Sequence, residues 1–441
     1  MGFPMADVLS ESLLASYRIA GTLISPLAGS LIMARARKGK EDLPRRKERF
    51  GYAGSRKPNG SLIWVHAASV GETIAILPLI KRIEETGSYV VLTTGTVTSA
   101  QLAAKQIGPR TLHQYAPLDL APFVNRFLNT WKPQLAIFVE SELWPATFHA
   151  LAKRNIPHVL VNARMSERSF FRWRRASGLI GAMLSSVTLC LAQTVDDAER
   201  YRVLGAPRVR VTGNLKFDTP APADNPAQLK LLEQTLRGRK VWLASSTHPG
   251  EEAIALRVHK ALKHHLPDLL TVIVPRHPER GREVAGLAQS EGLSHTLRSE
   301  GHLPKTNTDI YIADTIGEMG LHYRLAPVSF IGGSLVRHGG QNPIEPAKLQ
   351  TAILHGPDVH NFPEIYTALN SSDATIEVDS AEMLARSVGR LLVNEREREK
   401  LCSQATKAIQ EFEGALSATM DAIEPLLTAF SVSAALEQAR R

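Results

Sequence analysis

Cysteine is almost absent from this chain. Cys190 and Cys402 are the only two in 441 residues, both in apolar or helical surroundings, too few for a disulfide framework and without the spacing of a zinc site. That usage fits a reducing compartment. Aromatic residues make up only 6%, and no basic stripe interleaved with them and no nucleic-acid motif is read, so a nucleic-acid partner is not expected. No Asp-x-Asp pair occurs to bridge a divalent ion, and His66, His248, His277 and His338 are not spaced as a ligand cluster. No metal and no cofactor is therefore expected. The Gly-x-Gly-x-x-Gly fingerprint of dinucleotide sites is missing too, which disfavours a dehydrogenase.

Long hydrophobic runs are also lacking. The longest feature of that kind is Ile19 to Ala34, sixteen uncharged residues interrupted by Gly21, Pro26 and Gly29; a full span needs about 20. Asp7 and Glu11 precede it, so the positive start of a signal peptide is absent. Met1-Gly2 resembles a myristoylation start, but Ala6 stands where Ser or Thr is wanted. The basic run from Arg35 to Arg49 follows at once. An apolar anchor lying in, or barely crossing, one membrane face, with that run against anionic headgroups, accounts for both; the alternative is a buried helix.

What is present is ordinary for a globular protein: 44% apolar and 22% charged residues, with a net charge of +9. Residues 1–60 hold eleven Lys and Arg against five acids, and so carry +6 of that charge. The length calls for two domains. Strand-like runs alternate with helical ones from Ser61 onward, at Leu62–Ala67, Tyr89–Thr94, Leu135–Glu140, His158–Asn162, Val187–Ala192 and Val209–Thr212. The turn-rich linker Pro220–Pro226 interrupts them, and alternation resumes at Val241–Ser245, Leu270–Val274, Ile310–Ala313, Val328–Ile331 and Ala352–Leu354. Such alternation predicts parallel sheets wound with helices. The expected division is an anchor with its basic flank over 1–40, one α/β domain over 41–219 and a second over 220–441, ending in helices.

The stretch Ile63 to Glu72 reads strand, small-residue loop, helix, and leaves Glu72 in the loop or first helical turn, where open sheets place their ligand crevice. Taken alone, Glu72 is a first-turn carboxylate complementing the helix dipole. Three other strands also end in polar residues. Val139 to Pro145 offers Glu140 and Glu142, Gly213 to Asp218 offers Lys216, and Val274 to Arg280 offers Arg276, whose guanidinium suits phosphate. The segment Phe330 to Pro346 pairs glycines (Gly332, Gly333, Gly339, Gly340) with Asn342 and Glu345. Bare backbone N–H groups and a helix beginning near Asn342 would bind an anion, and Glu345 would accept ribose hydroxyls. Turn geometry and a salt bridge are the plain alternatives. Together these groups supply a base, a carboxylate partner and a cationic phosphate cage, the parts needed to deprotonate a hydroxyl and release a nucleotide.

These segments, with Arg45 to Gly51, Val161 to Ser166 and Ser246 to Glu252, resemble the Kdo transferases, glycosyltransferases that move 3-deoxy-D-manno-octulosonic acid (Kdo) from CMP-Kdo onto a lipid A precursor (lipid IVA). The resemblance runs over nearly the whole chain. It implies a GT-B fold, an N-terminal membrane anchor, a cytoplasmic active site on the cell inner membrane, and inverting, metal-independent transfer in lipopolysaccharide biosynthesis. It makes Glu72 the catalytic base and gives Glu140 and Lys216 the stabilisation of the transition state. It places CMP on Pro275 and Arg276, on Ile316, Gly317 and Glu318, and on Asn342, Pro343, Ile344 and Glu345. Gln341 and Asp358 depart from the family pattern, which often has His at both. A sugar-nucleotide epimerase shares the two-domain architecture without needing an anchor, and a non-enzymatic sugar-binding protein would need a signal peptide.

Overall fold

The alternating apolar residues of the first strand face two different cores. In the computed structural model, which describes residues 5–439, with side chains from residue 12 to 428 except that of residue 13, Leu62 and Trp64 pack with Val124, Phe127, Leu128 and Trp131. Ile63, Val65 and Ala67 turn the other way, onto Ala75, Ile76, Leu79, Ile80 and Ile83 of the helix Val70–Glu85. A strand buried on both faces is apolar on both, and here the one polar residue, His66, is held by Thr93 of the neighbouring strand. The myristoylation-like Met1-Gly2 lies outside the described residues.

The chain divides into two units. Residues 1–219 with 413–441 form the first, and residues 220–412 the second. In the first, strands β1 (Leu62–Ala67), β2 (Tyr89–Thr94), β3 (Thr111–Tyr115), β4 (Leu135–Val139), β5 (His158–Ala163), β6 (Leu189–Ala192) and β7 (Val209–Val211) make one parallel sheet in the order β3-β2-β1-β4-β5-β6-β7. The order reverses between β1 and β4, which pair directly. In the second, β8 (Lys240–Thr247), β9 (Leu269–Pro275), β10 (His295–Leu297), β11 (Ile310–Ile312), β12 (Val328–Ile331), β13 (Ala352–His355) and β14 (Thr375–Glu377) make another, ordered β10-β11-β9-β8-β12-β13-β14, with its reversal between β8 and β12. Crevices at such reversal points are where doubly wound sheets bind ligands.

The structure changes several expectations. Strands β3, β10 and β14 carry no long apolar run and were not expected; each is completed by its neighbour's backbone. Between β5 and β6 the chain forms two helices, Glu167–Arg174 and Ser177–Leu184. The last helix, Ala415–Ala439, lies with the first unit rather than the second. Its Ala415, Met420, Ile423 and Leu427 complete the core above β1, β4 and β5, and Asp218 accepts the amides of Gly414 (2.7 Å) and Leu416 (2.8 Å) at its start.

The expected anchor is a bent pair of helices, Met5–Ile24 and Ala28–Ala36. Leu14, Ala28 and Ile32 are buried, and the first helix packs on Ser177–Leu184, yet Ile19, Leu23, Ile24, Leu27 and Leu31 are more than half exposed. Residues Leu14–Ala36 pass the length and hydropathy test for a membrane span by composition alone. The basic run after it is not all free for headgroups. Arg35 and Arg49 both pair with Glu41 (2.7 and 2.9 Å), Arg45 pairs with Glu48 (2.8 Å), and Arg49 is buried.

Candidate active site

Glu72 occupies the third position of the helix Val70–Glu85, three residues after its N-cap Ser69. Its two carboxylate oxygens accept from the Ser69 hydroxyl (2.8 Å) and the Ala68 amide (2.7 Å), while Ser69 Oγ accepts the Glu72 amide (3.3 Å). This reciprocal cap fixes the carboxylate's direction. Burial pushes its pKa above the ordinary carboxylate range against the pull of those two hydrogen bonds, and the charges of Glu140 and Glu142 push the same way. The loop below it is braced from outside the sheet. Buried Arg49 donates to Gly95 O (2.7 Å), Gly95 N donates to Ala68 O (3.0 Å), and Ala68 N then holds Glu72. A Cβ at Gly95 would lie 2.8 Å from that Ala68 oxygen, so only glycine permits the approach.

Glu140 stands just past β4, outside the strand that sequence reasoning had extended through it, because its backbone is left-handed (φ 58°). That conformation costs a non-glycine residue about 1 kcal/mol or more and is typical of functional sites. Its carboxylate meets Lys216 Nζ at 2.8 Å, bringing together the ends of β4 and of the segment after β7. The Lys216 loop is itself anchored by Asn162, whose Oδ1 accepts the Leu215 amide (2.9 Å). Glu142 accepts from Trp144 Nε1 (2.8 Å) and lies 3.3 Å from Nε2 of fully buried His66. Burial alone would raise Glu142, but His66 and Trp144 outweigh it and hold the carboxyl below its usual range. The reversal point β1/β4 thus gathers Glu72, whose pKa is raised, Glu142, whose carboxyl is held low by His66 and Trp144, and Glu140, paired with Lys216.

In the second unit the glycine segment differs from the expectation of bare amides. Glu251, fully buried at the start of the helix Glu251–Lys263, accepts the N–H groups of Gly333 (2.7 Å), Ser334 (3.1 Å), Leu335 (3.1 Å) and His248 (2.9 Å). Gly332 N donates to Ser245 O and Gly339 N to Asp358. An internal carboxylate already fills the cradle, so these donors are not open to a phosphate. Nor does a long helix start at Asn342: the helix Ile344–Lys348 has five residues, and Asn342 Oδ1 takes its first amide at 3.1 Å.

Pro275 ends β9 and Arg276 follows it, exposed, its amide on Thr247 O (2.9 Å). Arg276 lies within electrostatic reach of Glu345, whose carboxyl burial raises above its usual range against Asn342 and Arg276. Pro343 is the N-cap of that five-residue helix. On the β11 side, Ile316 is 83% exposed, Gly317 has φ 90° and Glu318 pairs with Arg298 (2.7 Å), which holds its carboxyl low. The helix Met319–Leu325 that follows carries Tyr323 to 3.3 Å from Ser245 Oγ at the end of β8, linking the segments.

Residues not singled out as a site complete this end of the sheet. His248 stacks on His338 (ring centroids 4.1 Å apart, 15° between planes), has His277 edge-on at 6.2 Å, and contacts Gln341 Nε2 at 3.3 Å. Burial, then its histidine and arginine neighbours, lower its pKa to about 4, so it is neutral. The two departures from the family pattern have roles here: Gln341 meets His248, and Asp358 holds Gly339 and pairs with His360 (2.7 Å). The signal for His248 and Glu251 was in the sequence: Thr247-His248-Pro249-Gly250-Glu251 also runs from strand to loop to a helix with a carboxylate in its first turn.

The two parallel α/β units define a GT-B fold. A glycosyltransferase from Rickettsia africae superposes with a TM-score of 0.56 over 84% of this chain and 99% of its own, at 14% identity. A UDP-GlcNAc 2-epimerase from Neisseria meningitidis does so at 0.54 over 84% and 100%, at 16% identity. The fold is therefore shared by transferases and epimerases, and sequence separates them. Residues 44–219 match the family model of 3-deoxy-D-manno-octulosonic-acid transferase. The 3-deoxy-D-manno-octulosonic acid transferase of Haemophilus influenzae is 38% identical over 86% of this chain and 91% of its own. The chain belongs to the Kdo transferase family and is a glycosyltransferase.

Proposed function

We propose that the protein transfers Kdo from CMP-Kdo to a sugar hydroxyl of a lipid A precursor, lipid IVA, with inversion and without a metal ion. The reading rests on Glu72: a carboxylate aimed by Ser69 and Ala68 and kept basic by its surroundings. The acceptor hydroxyl oxygen attacks the anomeric carbon of Kdo, its proton passes to Glu72, and the bond from that carbon to the phosphate oxygen breaks, releasing CMP. Positioned proton transfer of this kind is worth roughly a hundred- to ten-thousand-fold. Glu140 and Lys216, paired at 2.8 Å, stabilise the charge that develops in the first unit. Arg276 takes the CMP phosphate in two-point contact, and Glu345 with Asn342 takes the ribose. Pro275, Pro343 and Ile344 shape the walls, and Ile316, Gly317 and Glu318 supply backbone and apolar contact for the base. The exposed side of residues 19–31 rests on the cytoplasmic face of the inner membrane.

The test is Glu72→Gln, measured for turnover and for CMP affinity in the same preparation. Transfer falls by at least about a hundredfold while CMP still binds, since the nucleotide contacts lie elsewhere. Near-normal turnover would remove Glu72 from the chemistry and leave it a helix cap.

A further inference from the structure

The helix Glu167–Arg174 follows β5, the strand beside β4, and lies in an arginine-rich stretch. Arg164, Arg168, Arg172, Arg174 and Arg175 stand within twelve residues that contain a single acid, Glu167. All five are exposed, and among the described residues none has a carboxylate partner. Arg168, Phe171, Arg172 and Arg175 recur at the spacing of one helix face, and Phe171 is 48% exposed. The opposite side is committed to the fold: Phe170 and Trp173 pack on the core with Phe138 and Leu160. Arg174 lies over the rings of Phe170 and Phe171 at 5.7 and 5.9 Å. A basic stripe interleaved with aromatics is therefore present, contrary to expectation. Like charges four residues apart repel, so an unneutralised stripe weakens its own helix and is relieved by an anion.

Its two ends say which anion. At one end, the Tyr201 hydroxyl lies 3.3 Å from Arg164 O and 3.4 Å from Glu140 O, so the backbone on which the stripe starts runs next to that of Glu140. At the other, the next helix, Ser177–Leu184, packs on Met5–Ile24, whose Ile19, Leu23 and Ile24 are exposed. Guanidinium groups match phosphate with two parallel donors, and Phe171 offers an apolar contact between them. A ligand touching the carboxylates, the arginines and an apolar helix in turn has a sugar hydroxyl, phosphate and acyl chains.

We propose that Arg164, Arg168, Arg172 and Arg175 bind the phosphate groups of the lipid acceptor, with Phe171 against its apolar part. The proposal rests on the reading of the chain as a lipid-directed Kdo transferase. It is tested with the full chain in neutral detergent micelles, comparing wild type, the pair Arg168→Ala with Arg172→Ala, and the pair Arg168→Lys with Arg172→Lys. The acceptors are lipid IVA and the same lipid stripped of its phosphates by a phosphatase. The Ala pair raises the acceptor KM about tenfold or more on lipid IVA, the size of a lost charge-assisted contact. Stripping the phosphates raises the wild-type KM similarly and leaves little further for the Ala pair to lose, as expected when two changes remove one interaction. The Lys pair recovers part of the loss, which a folding defect would not allow. An unchanged KM, or equal losses on both lipids, overturns the proposal. So does a defect seen only on anionic phospholipid vesicles, which would assign the stripe to the membrane surface, or one seen only in oligonucleotide binding, which would assign it to nucleic acid. If the wild type transfers Kdo to neither lipid but does so to another acceptor, the parent reading fails instead, and the phosphate site with it.

Discussion

Glu251 holds the amide of Gly333 at 2.7 Å, and with it three more backbone N–H groups from two different loops. Glycines that look in sequence like an anion cradle are here the wrapping of a buried carboxylate, and that carboxylate ties the β8 loop to the β12 loop at the sheet's reversal point. Glu251→Ala leaves those amides without a partner, each worth about 1–3 kcal/mol when buried and unsatisfied. Urea unfolding should show a loss of at least about 2 kcal/mol, and CMP affinity should fall with it because the Arg276 amide is held by Thr247 O at the start of the β8 loop. An unchanged midpoint would mean that water or a bound anion replaces the carboxylate.

The pH dependence of transfer follows from Glu72. A base works ionised, and a carboxyl whose pKa is raised by burial and by Glu140 and Glu142 loses its charge at a higher pH than an ordinary one. The acidic limb of kcat/KM should therefore lie above the ordinary glutamate range. Glu142→Gln removes one of the charges that push Glu72 up, so the limb should move to lower pH. A limb that stays in place shows that Glu142 does not act on Glu72 electrostatically.

Arg49 reaches Glu72 only through the backbone of Gly95 and Ala68. Arg49→Ala leaves Glu41, whose side chain is 3% exposed, to Arg35 alone and takes the guanidinium donor from the Gly95 and Ala116 carbonyls, and should cost about 1–3 kcal/mol. Arg49→Lys keeps the charge without the fork that spans Gly95 O and Ala116 O. It should fold, and lower turnover more than it raises either KM. Thermal melts alongside kinetics separate the two effects.

Removing the N-terminal helices outright would uncover what they bury, so the membrane reading is better tested on their outer side. Leu23→Ser, Leu27→Ser and Leu31→Ser together alter residues that are 74%, 67% and 53% exposed. Stability should change little, while the fraction sedimenting with membranes falls. Full retention on membranes would turn attention to the exposed part of the basic flank.

Asp218→Ala removes the acceptor for Gly414 and Leu416, and should cost about 0.5–2 kcal/mol as a lost helix cap. Proteolysis should then cut near residue 413 sooner than in wild type. No change in cutting would place the hold on the last helix in Met420, Ile423 and Leu427 alone.

Strands with a run of four or more apolar residues, such as β1 with Leu62 to Val65, were legible because burial on both faces leaves a local signature. The loops that follow β1, β4, β9 and β12 stood out as candidate sites for a related reason, polar residues at the end of a buried strand, but in the β12 loop the expected open amides are taken by Glu251. The pairing of Glu140 with Lys216, 76 positions apart, was hinted at only by resemblance, since nothing in local pattern brings those strand ends together.

The sequence by itself determined the two parallel sheets, the linker between them, the apolar N-terminal stretch and the family, because periodicity and ordered motifs are properties of the chain read in one dimension. Only the tertiary structure decided which donors and charges are free. Whether Gly333 offers its amide depends on Glu251, 82 residues earlier; whether Arg49 faces lipid depends on Glu41 and on the Gly95 carbonyl. A hydrogen-bonding group has a fixed capacity, and its partner is set by distance in space, which the order of residues does not record.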